Sequence, residues 1–282
     1  MERSDPLRQA LQGIWSSAAP AWQRHADFVD DRSAEVAQAM LDAAALRPDQ
    51  RVLELACGPG GVGLSAADLV GPGGEVVLSD IAPEMTAIAA ERANARKLAN
   101  VRTAQIDMEQ IDFPDASFDV VLCREGLMLV PDPAVASKEA HRVLVPRGRV
   151  VFAVWGPRDR NPWLGILLDA ITESLGIPVP PPGMPGPFSL SEYGTLEELI
   201  GAAGFDGVNV REVATPMNAG SFDEWWAVVS SLAGPVGPLL AGQPAEVGTT
   251  IRARAEASLD QFRTDTGSFD LPGLSFVGSG VH

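Results

Sequence analysis

A glycine-rich turn directly after an acidic residue is the first stretch of this sequence that could do chemistry. In "VLELACGPGGVGLSAADLV", Glu54 stands four residues before Gly58, and Gly58, Gly60 and Gly63 have the G-x-G-x-x-G spacing of a dinucleotide-binding turn. A pyrophosphate there would lie at a helix N-terminus, but a nearby carboxylate would repel it by about 1–4 kcal/mol. An ammonium group would be attracted by a similar amount. Unless Glu54 is only a solvated charge at a strand end, the turn therefore favours S-adenosylmethionine over NAD.

Two more acids follow predicted strands. Asp80 stands twenty residues beyond Gly60, where an acid accepts hydrogen bonds from the hydroxyls of an adenosine ribose in either cofactor. Asp107 could accept from an adenine amino group while Met108 packs on the ring, or it could simply form a turn. Because the carboxyl ends of parallel strands meet at one edge of a sheet, we expect these acids to share one crevice with Glu54. Such a crevice suits a cation.

The elements that must position these acids alternate between strand and helix patterns. The predicted strands are 51–55, 75–80, 101–107, 118–125 and 148–155, and the predicted helices between and around them are 33–46, 63–70, 83–97 and 132–144. This alternation predicts an α/β fold with a doubly wound parallel sheet. Two further strands are predicted at 208–215 and 275–281. A capping box, with Thr195 three residues before Glu198, predicts the start of a helix.

Composition limits the possible partners. The 282 residues carry a formal net charge of −16, which disfavours nucleic acid as a partner, since phosphate backbones are bound by clustered Lys and Arg. No apolar run approaches the ~20 residues of a membrane span, and the N-terminus lacks a signal-peptide pattern. With only Cys57 and Cys123, neither a disulfide framework nor a metal site is expected. We expect a cytoplasmic protein, either a monomer or a homodimer.

Between about residues 45 and 155 the sequence resembles the class I S-adenosylmethionine-dependent methyltransferases. The similar stretches are "VLELACGPGG", "VVLSDIAPEM", "AQIDMEQIDFPDASFDVVLCREGLMLVPDP" and "EAHRVLVPRGRVVFAVW". They are most similar to the small-molecule branch that includes the ubiquinone and menaquinone biosynthesis methyltransferases. The resemblance implies a Rossmann-like seven-stranded sheet of order 3-2-1-4-5-7-6 with an antiparallel last strand. It also implies S-adenosylmethionine as cofactor and S-adenosylhomocysteine as product.

The same resemblance assigns roles to individual residues. It implies that the cofactor is bound by Glu54, Ala56, Cys57, Gly58 and Gly60 at its methionine end, by Asp80 with Ile81 and Met85 at its ribose, by Asp107 and Met108 at its adenine, and by Cys123 from the fourth strand. Ala56 departs from the family pattern, since many relatives have glycine there. Cys57 could be a nucleophile, but methyl transfer needs no covalent intermediate, so we interpret it as packing.

Four segments are expected from these patterns. Residues 1–45 form an N-terminal helical lid, 46–155 the cofactor-binding core, 156–194 an insertion, and 195–282 the rest of the sheet with a helical insertion at 218–268. In the family the N-terminal segment folds over the cofactor. His25 could therefore reach the acceptor as a general base, or be an ordinary polar residue of the lid. Glu125, after the fourth strand, is the rival candidate.

The acceptor is inferred from the aromatic residues outside the nucleotide-binding motifs. Trp22, Trp155 and Trp163, with Arg124, are expected to line a pocket for a flat hydrophobic metabolite such as a quinone precursor, a phenol or a polyketide. Methylation at O, N or C stays open. Two other functions stay open as well: an NAD-dependent oxidoreductase using the G-x-G-x-x-G turn, and a non-catalytic binding protein with the methyltransferase fold.

Overall fold

A seven-stranded sheet lies at the centre of the computed structural model, which describes residues 4–282. The strands of the protein are β1 (Arg51–Glu54), β2 (Glu75–Asp80), β3 (Val101–Gln105), β4 (Phe118–Arg124), β5 (Leu144–Trp155), β6 (Asp206–Ala214), β7 (Met217–Ala219), β8 (Phe269–Leu271) and β9 (Leu274–Val281). The large sheet has the order β3-β2-β1-β4-β5-β9-β6, while β7 and β8 pair separately. Only β9 runs antiparallel, against both β5 and β6. Because β9 is the seventh strand of this sheet along the chain, the expected order 3-2-1-4-5-7-6 is confirmed.

Helices cover both faces of the sheet. They are α1 (Ser4–Arg24), α2 (Ala26–Arg32), α3 (Ala34–Ala44), α4 (Gly61–Val70), α5 (Pro83–Ala95), α6 (Pro133–Val143), α7 (Pro162–Leu175), α8 (Thr195–Ala202), α9 (Phe222–Leu232), α10 (Val236–Ala241) and α11 (Ala245–Leu259). One face is packed by α3, α4 and α5, and the other by α6 and α8. Within residues 4–282, none of the helices combines the length and apolar character needed to cross a membrane.

The central strands are buried because both of their faces carry apolar side chains, as parallel sheets covered on two sides require. Val52 and Leu53 of β1, neighbours in sequence, belong to the two opposite cores. Val76 and Val77 of β2 likewise belong to opposite cores. This arrangement brings the carboxyl ends of β1, β2 and β4 to one edge of the sheet, the edge at which the sequence predicts a crevice.

The segment 1–45, predicted as a helical lid, is divided between two places in the fold. Residues 1–3 lie outside the described residues, and α3 packs against β5, β6 and β9 rather than over the crevice. Its buried positions Val36, Met40 and Ala44 are spaced four apart, so one apolar stripe faces the sheet. The other two helices of the segment, α1 and α2, keep the name lid here, and α1 packs against α5 and α9.

Two local predictions were wrong. Thr195 is the first residue of α8 and Gly194 is its N-cap, so the capping box does not form, and the N–H of Glu198 donates to the carbonyl of Gly194 instead. Strand β3 ends at Gln105, which leaves Asp107 in a short turn bridged to Gln110. The proline-rich segment 176–188 forms a loop without helix or strand.

The two insertions pack together into a third core. Helices α7, α9 and α11 and the β7–β8 hairpin surround Trp225, which is fully buried and donates its Nε1–H to the carbonyl of Trp163 at 2.9 Å. Trp155, at the carboxyl end of β5, packs against this cluster. The insertions therefore build a helical cap beside the carboxyl edge of the sheet.

Candidate cofactor and acceptor site

The turn between β1 and α4 needs glycine at two positions. Gly60, the N-cap of α4, has a φ of +91°, and a Cβ there would stand 3.0 Å from Leu78. At Gly63 a Cβ would overlap both Leu78 and the carboxylate of Glu54, so this glycine lets the helix approach the sheet closely. Ala56 adopts a φ of +48°, a conformation that glycine reaches without strain, so the glycine of the family pattern would suit this backbone position.

Glu54 is buried, so the interpretation as a solvated strand-end charge is wrong. Its side chain is out of solvent and accepts the N–H of Gly63 at 2.9 Å. Burial raises the pKa of Glu54 to about 7, although attraction to Arg124 and the Gly63 hydrogen bond oppose the shift. A ligand cation beside this carboxylate would favour its ionised form.

Asp80 is held by backbone N–H groups on both carboxylate oxygens. One oxygen accepts the N–H of Gly58 and the other accepts that of Ala82, each at 3.0 Å. Burial raises the pKa of Asp80 to about 6, against the effect of these hydrogen bonds. Because a carboxylate offers about four acceptor sites, two stay open for the hydroxyls of a ribose.

A patch of small and sulfur-containing side chains adjoins the glycine turn. A Cβ at Gly126 would clash with Ala56 and lie 3.1 Å from Cys123 Sγ and 3.6 Å from Met108 Cε, so these four residues meet at one place. Sequence reasoning missed Gly126, which lies beyond β4 in no recognised glycine motif. Cys123 and Cys57 are both buried. Burial raises the pKa of Cys123 to about 12 and that of Cys57 well above its ordinary value, which supports packing roles for both thiols.

Asp107 forms an ion pair with an arginine of α1. Arg8 of α1 places its Nε 2.9 Å from Oδ2 of Asp107 and also pairs with the buried Glu109. The other oxygen of Asp107 accepts the N–H of Glu109 at 2.9 Å. Acceptor sites remain on this carboxylate for an adenine amino group. Sequence reasoning missed Arg8 because nothing in its neighbourhood distinguishes it from any other helix arginine.

The lid also covers the glycine turn. A Cβ at Gly58 would stand 3.8 Å from the Trp22 ring, and Met85 packs in a cluster with Ala19, Trp15 and Trp22 of α1. Ile81 is half-buried next to this cluster in sequence. The aromatic residues of α1 thus lie against the segments that the resemblance assigned to the methionine and ribose parts.

Arg124 belongs to the glycine turn and not to the expected aromatic pocket. Its Nη2 lies 3.6 Å from Oδ1 of Asp30 in α2 and close to Gly61 at the start of α4. Asp30 also accepts a hydrogen bond from Arg92 at 2.6 Å, and Arg92 donates to the carbonyl of Pro59. Arg124 lies at the turn because the carboxylates of Asp30 and Glu54 both attract its guanidinium.

A mainly apolar cavity of about 60 Å³ adjoins Trp22. It is lined by Trp22, Phe28, Val29, Arg32, Ser33, Glu125, Trp155, Trp163, Leu164, Met217, Val228, Val229, Leu232 and Ala233. Three of the four residues predicted for the acceptor pocket are in this lining. Glu125 is there as well, with a φ of +58° and an Oε1 that accepts from Ser275 Oγ at 3.0 Å.

His25 does not line this cavity. It is the N-cap of α2, half-buried at the junction with α1, and its side chain makes no capping hydrogen bond. Burial and the neighbouring Arg24 lower the pKa of His25, which favours the neutral imidazole. Of the two candidate bases, only Glu125 reaches the cavity.

The residues at the carboxyl edge fit S-adenosylmethionine by their donor and acceptor set. Glu54 offers a negative charge for an ammonium group, and Arg124 offers a positive one for a carboxylate. Asp80 has free acceptor sites for a ribose diol. The patch at Ala56, Met108 and Cys123 offers apolar surface for the adenine and the thioether. A pyrophosphate at the same turn would face the carboxylates of Asp30 and Glu54.

Comparisons with known proteins agree with this fit. A family described as "Methyltransferase domain" matches residues 46–161. Nocamycin O-methyltransferase of Saccharothrix syringae is 36% identical over 188 residues, which cover 63% of this chain and 66% of that protein. The ubiquinone/menaquinone biosynthesis C-methyltransferase UbiE of Ectopseudomonas mendocina is 36% identical over 135 residues, or 48% of this chain and 52% of that enzyme. The chain therefore spans between half and two thirds of the length of these two relatives.

Among solved structures, the YcgJ protein of Bacillus subtilis has the same fold. It superposes with a TM-score of 0.60 at 21% identity, over 87% of this chain and 97% of that one. Of the cavity-lining residues, only Glu125 and Trp155 lie within the matched range 46–161. Segments outside the range matched by the family model therefore build most of the cavity.

Proposed function

We propose that this chain, a member of the class I S-adenosylmethionine-dependent methyltransferases through its domain at residues 46–161, methylates a small hydrophobic acceptor. The acceptor class that the lining supports best is an aromatic, quinone-like or polyketide-like metabolite. The observation that carries the cofactor assignment is the buried carboxylate of Glu54 at a glycine turn whose geometry otherwise suits a dinucleotide. A carboxylate in that place favours an amino-acid ammonium over a pyrophosphate.

The proposed cofactor contacts follow the resemblance. Glu54, Ala56, Cys57, Gly58 and Gly60 surround the methionine part, and Arg124 joins them as a candidate for its carboxylate. The ribose contact is Asp80 with Ile81 and Met85, and the adenine contacts are Asp107 and Met108, with Cys123 behind them. S-adenosylmethionine supplies an electrophilic methyl group whose leaving group is a neutral thioether, so no residue needs to protonate it.

The chain's own contribution is then positioning and, for a protonated acceptor, removal of one proton. In-line positioning of two reactants contributes about 7–11 kcal/mol in well-oriented systems. Glu125 is the proposed general base because it reaches the cavity and is held by Ser275. Trp22, Trp155 and Trp163 are the proposed walls that hold the acceptor and exclude water.

Different segments of the fold are proposed to bind the cofactor and the acceptor. Residues 46–155 bind the cofactor, α1 and α2 close over it, and the insertions at 156–194 and 218–268 complete the acceptor cavity. The cavity holds only about 60 Å³ of free space, which is less than an aromatic ring compound needs. Entry of the acceptor therefore requires α1, α2 or the cap helices to move.

The proposal is tested by incubating the protein with tritiated-methyl S-adenosylmethionine and a panel of acceptors. The panel contains phenols, hydroxyquinones and 1,3-dicarbonyl compounds, with a sugar, a peptide and RNA as other classes. We expect label transfer to members of the first group, with release of S-adenosylhomocysteine. Transfer only to the sugar, the peptide or the RNA would contradict the acceptor class. Failure to bind the cofactor would contradict the activity itself.

A further inference from the structure

Three buried N–H groups around the cavity have no acceptor among residues 4–282. They are Nε1 of Trp22, Nε1 of Trp155 and Nε of Arg32, and all three residues line the cavity. Buried donors are nearly always satisfied in native proteins, because leaving one unpaired costs about 1–3 kcal/mol. Three unsatisfied donors around one cavity therefore indicate a ligand that presents oxygen acceptors.

Arg32 is the charged member of this group. Its guanidinium stacks over the Trp163 ring at 3.9 Å from the centroid, and one Nη donates to the carbonyl of Thr215 at 3.2 Å. Burial lowers the pKa of Arg32 to about 10, partly offset by attraction to Glu125. Within the described chain it makes no ion pair shorter than 4 Å, in contrast to Arg8, Arg92 and Arg124.

Burying a guanidinium without a close carboxylate costs free energy unless other interactions compensate for the lost hydration. The stacking on Trp163 and one carbonyl hydrogen bond compensate only in part for the loss of hydration. Glu125 lines the same cavity without reaching ion-pair distance, so a ligand between the two would meet a cation on one side and a carboxylate on the other. Such a ligand is recognised best if it carries both an anionic oxygen and a hydroxyl.

We propose that the methyl acceptor is an acid: a ring compound whose anionic oxygen, of a carboxylate or an enolate, is bound by Arg32 with help from the indole N–H groups of Trp22 and Trp155. The inference rests on the proposed function and narrows its acceptor class. The anion faces Arg32, the hydroxyl faces Glu125, and the apolar ring packs against the aromatic and aliphatic side chains that line the cavity. Guanidinium groups suit this role because they bind planar oxyanions in a bidentate manner.

The test uses two probes of nearly equal size, 2-hydroxybenzoate, which carries an anionic carboxylate at pH 7, and 2-hydroxybenzamide, which carries a neutral amide in its place. Dissociation constants are measured by NMR titration on the full chain, with and without saturating S-adenosylhomocysteine. We expect the benzoate to bind about tenfold to a hundredfold more tightly, as a charge-assisted hydrogen bond implies. Equal binding of the two probes, or binding of neither, would overturn the proposal.

Arg32→Gln should abolish this preference, and Arg32→Lys should retain part of it. Arg24→Gln removes a positive charge from an exposed position of the same N-terminal segment and should leave the preference intact. A purely structural role for Arg32 would lower the melting temperature without changing the ratio of the two dissociation constants, and that result would also overturn the proposal. Because S-adenosylhomocysteine affinity is read separately, a failure of the cofactor assignment is distinguishable from a failure of the acid-recognition proposal.

Should Arg32→Gln fail to fold, the wild-type preference and its partial retention in Arg32→Lys still decide the question. A preference that survives Arg32→Gln unchanged would assign anion recognition to another residue and contradict the proposal.

Discussion

Arg8 in α1 and Asp107, just beyond β3, form an ion pair in which Nε and Oδ2 are 2.9 Å apart. The same guanidinium pairs with Glu109, whose side chain is only 3% exposed. The pair joins the N-terminal lid to the turn that the resemblance assigns to adenine binding. Helix α1 is therefore held at this turn by Arg8 and lies against the glycine turn through Trp22.

Arg8→Ala should destabilise the protein by about 1–3 kcal/mol, because it leaves the buried carboxylate of Glu109 without its cation. The free energy of unfolding from urea titration measures the effect. Arg254→Ala removes an arginine from a pair that is 46% and 62% exposed, and it should change stability by less than about 0.5 kcal/mol. Equal effects of the two substitutions would mean that the lid contact does not stabilise the fold.

Glu54→Gln should change stability in a pH-dependent way. The folded protein holds the Glu54 pKa at about 7, above its ordinary value of 4.5, so it binds this proton more tightly than the unfolded chain does. The resulting stability is full below pH 4.5 and is lost as the pH rises through 7. Glutamine does not titrate, so the variant should gain about 1–3 kcal/mol relative to wild type between pH 5 and pH 8.

The control for this titration is Glu35→Gln, at an exposed position of α3. Its stability relative to wild type should stay constant over the same pH range. A constant difference for Glu54→Gln as well would show that the buried carboxylate has an ordinary pKa.

The loss of charge in Glu54→Gln should also weaken the binding of S-adenosylmethionine without creating affinity for NAD.

Glu125→Gln should lower kcat by about 10²-fold if the acceptor is protonated at the reacting atom, since a positioned general base contributes that much. The variant should keep the affinity of the parent for S-adenosylhomocysteine. His25→Ala is the matched comparison and should leave kcat essentially unchanged, because His25 does not line the cavity. Steady-state kinetics with the acceptor that is methylated in the panel assay measure kcat for both variants. A large loss of kcat in His25→Ala alone would assign the general base to His25 instead of Glu125.

The geometry at the end of β2 could be predicted from the sequence because its determinants are local. Strand β2 matched its predicted span of 75–80, since a buried apolar run lies between the breaker "GPGG" and Pro83. An acid at the end of such a strand must face the carboxyl edge of the sheet. In this protein the acid is Asp80. The hydrogen bonds that it accepts from the N–H groups of Gly58 and Ala82 follow from the glycine turn beside it.

The acceptor half could not be predicted to the same depth because its contacts are long-range. Arg32 and Thr215, whose carbonyl accepts a hydrogen bond from Arg32, are 183 residues apart in the chain, and Arg32 stacks on a tryptophan of the first insertion. Arg32, the last residue of α2, lines the cavity, whereas His25, the N-cap of the same helix, does not. The tryptophans were found because large aromatics outside the core motifs need a place to be buried.

The central claim is that the glycine turn binds an S-adenosyl amino acid, and calorimetric titration of the wild type and Asp80→Asn with S-adenosylhomocysteine and NAD tests it most directly. We predict that the wild type binds S-adenosylhomocysteine and not NAD. Asp80→Asn should weaken that binding by about 1.5–3 kcal/mol through loss of charge-assisted hydrogen bonds to the ribose. Asp68→Asn, at an exposed site paired with Arg96, is the control and should bind as the wild type does. Tighter binding of NAD than of S-adenosylhomocysteine, or an unchanged dissociation constant in Asp80→Asn, would contradict the claim.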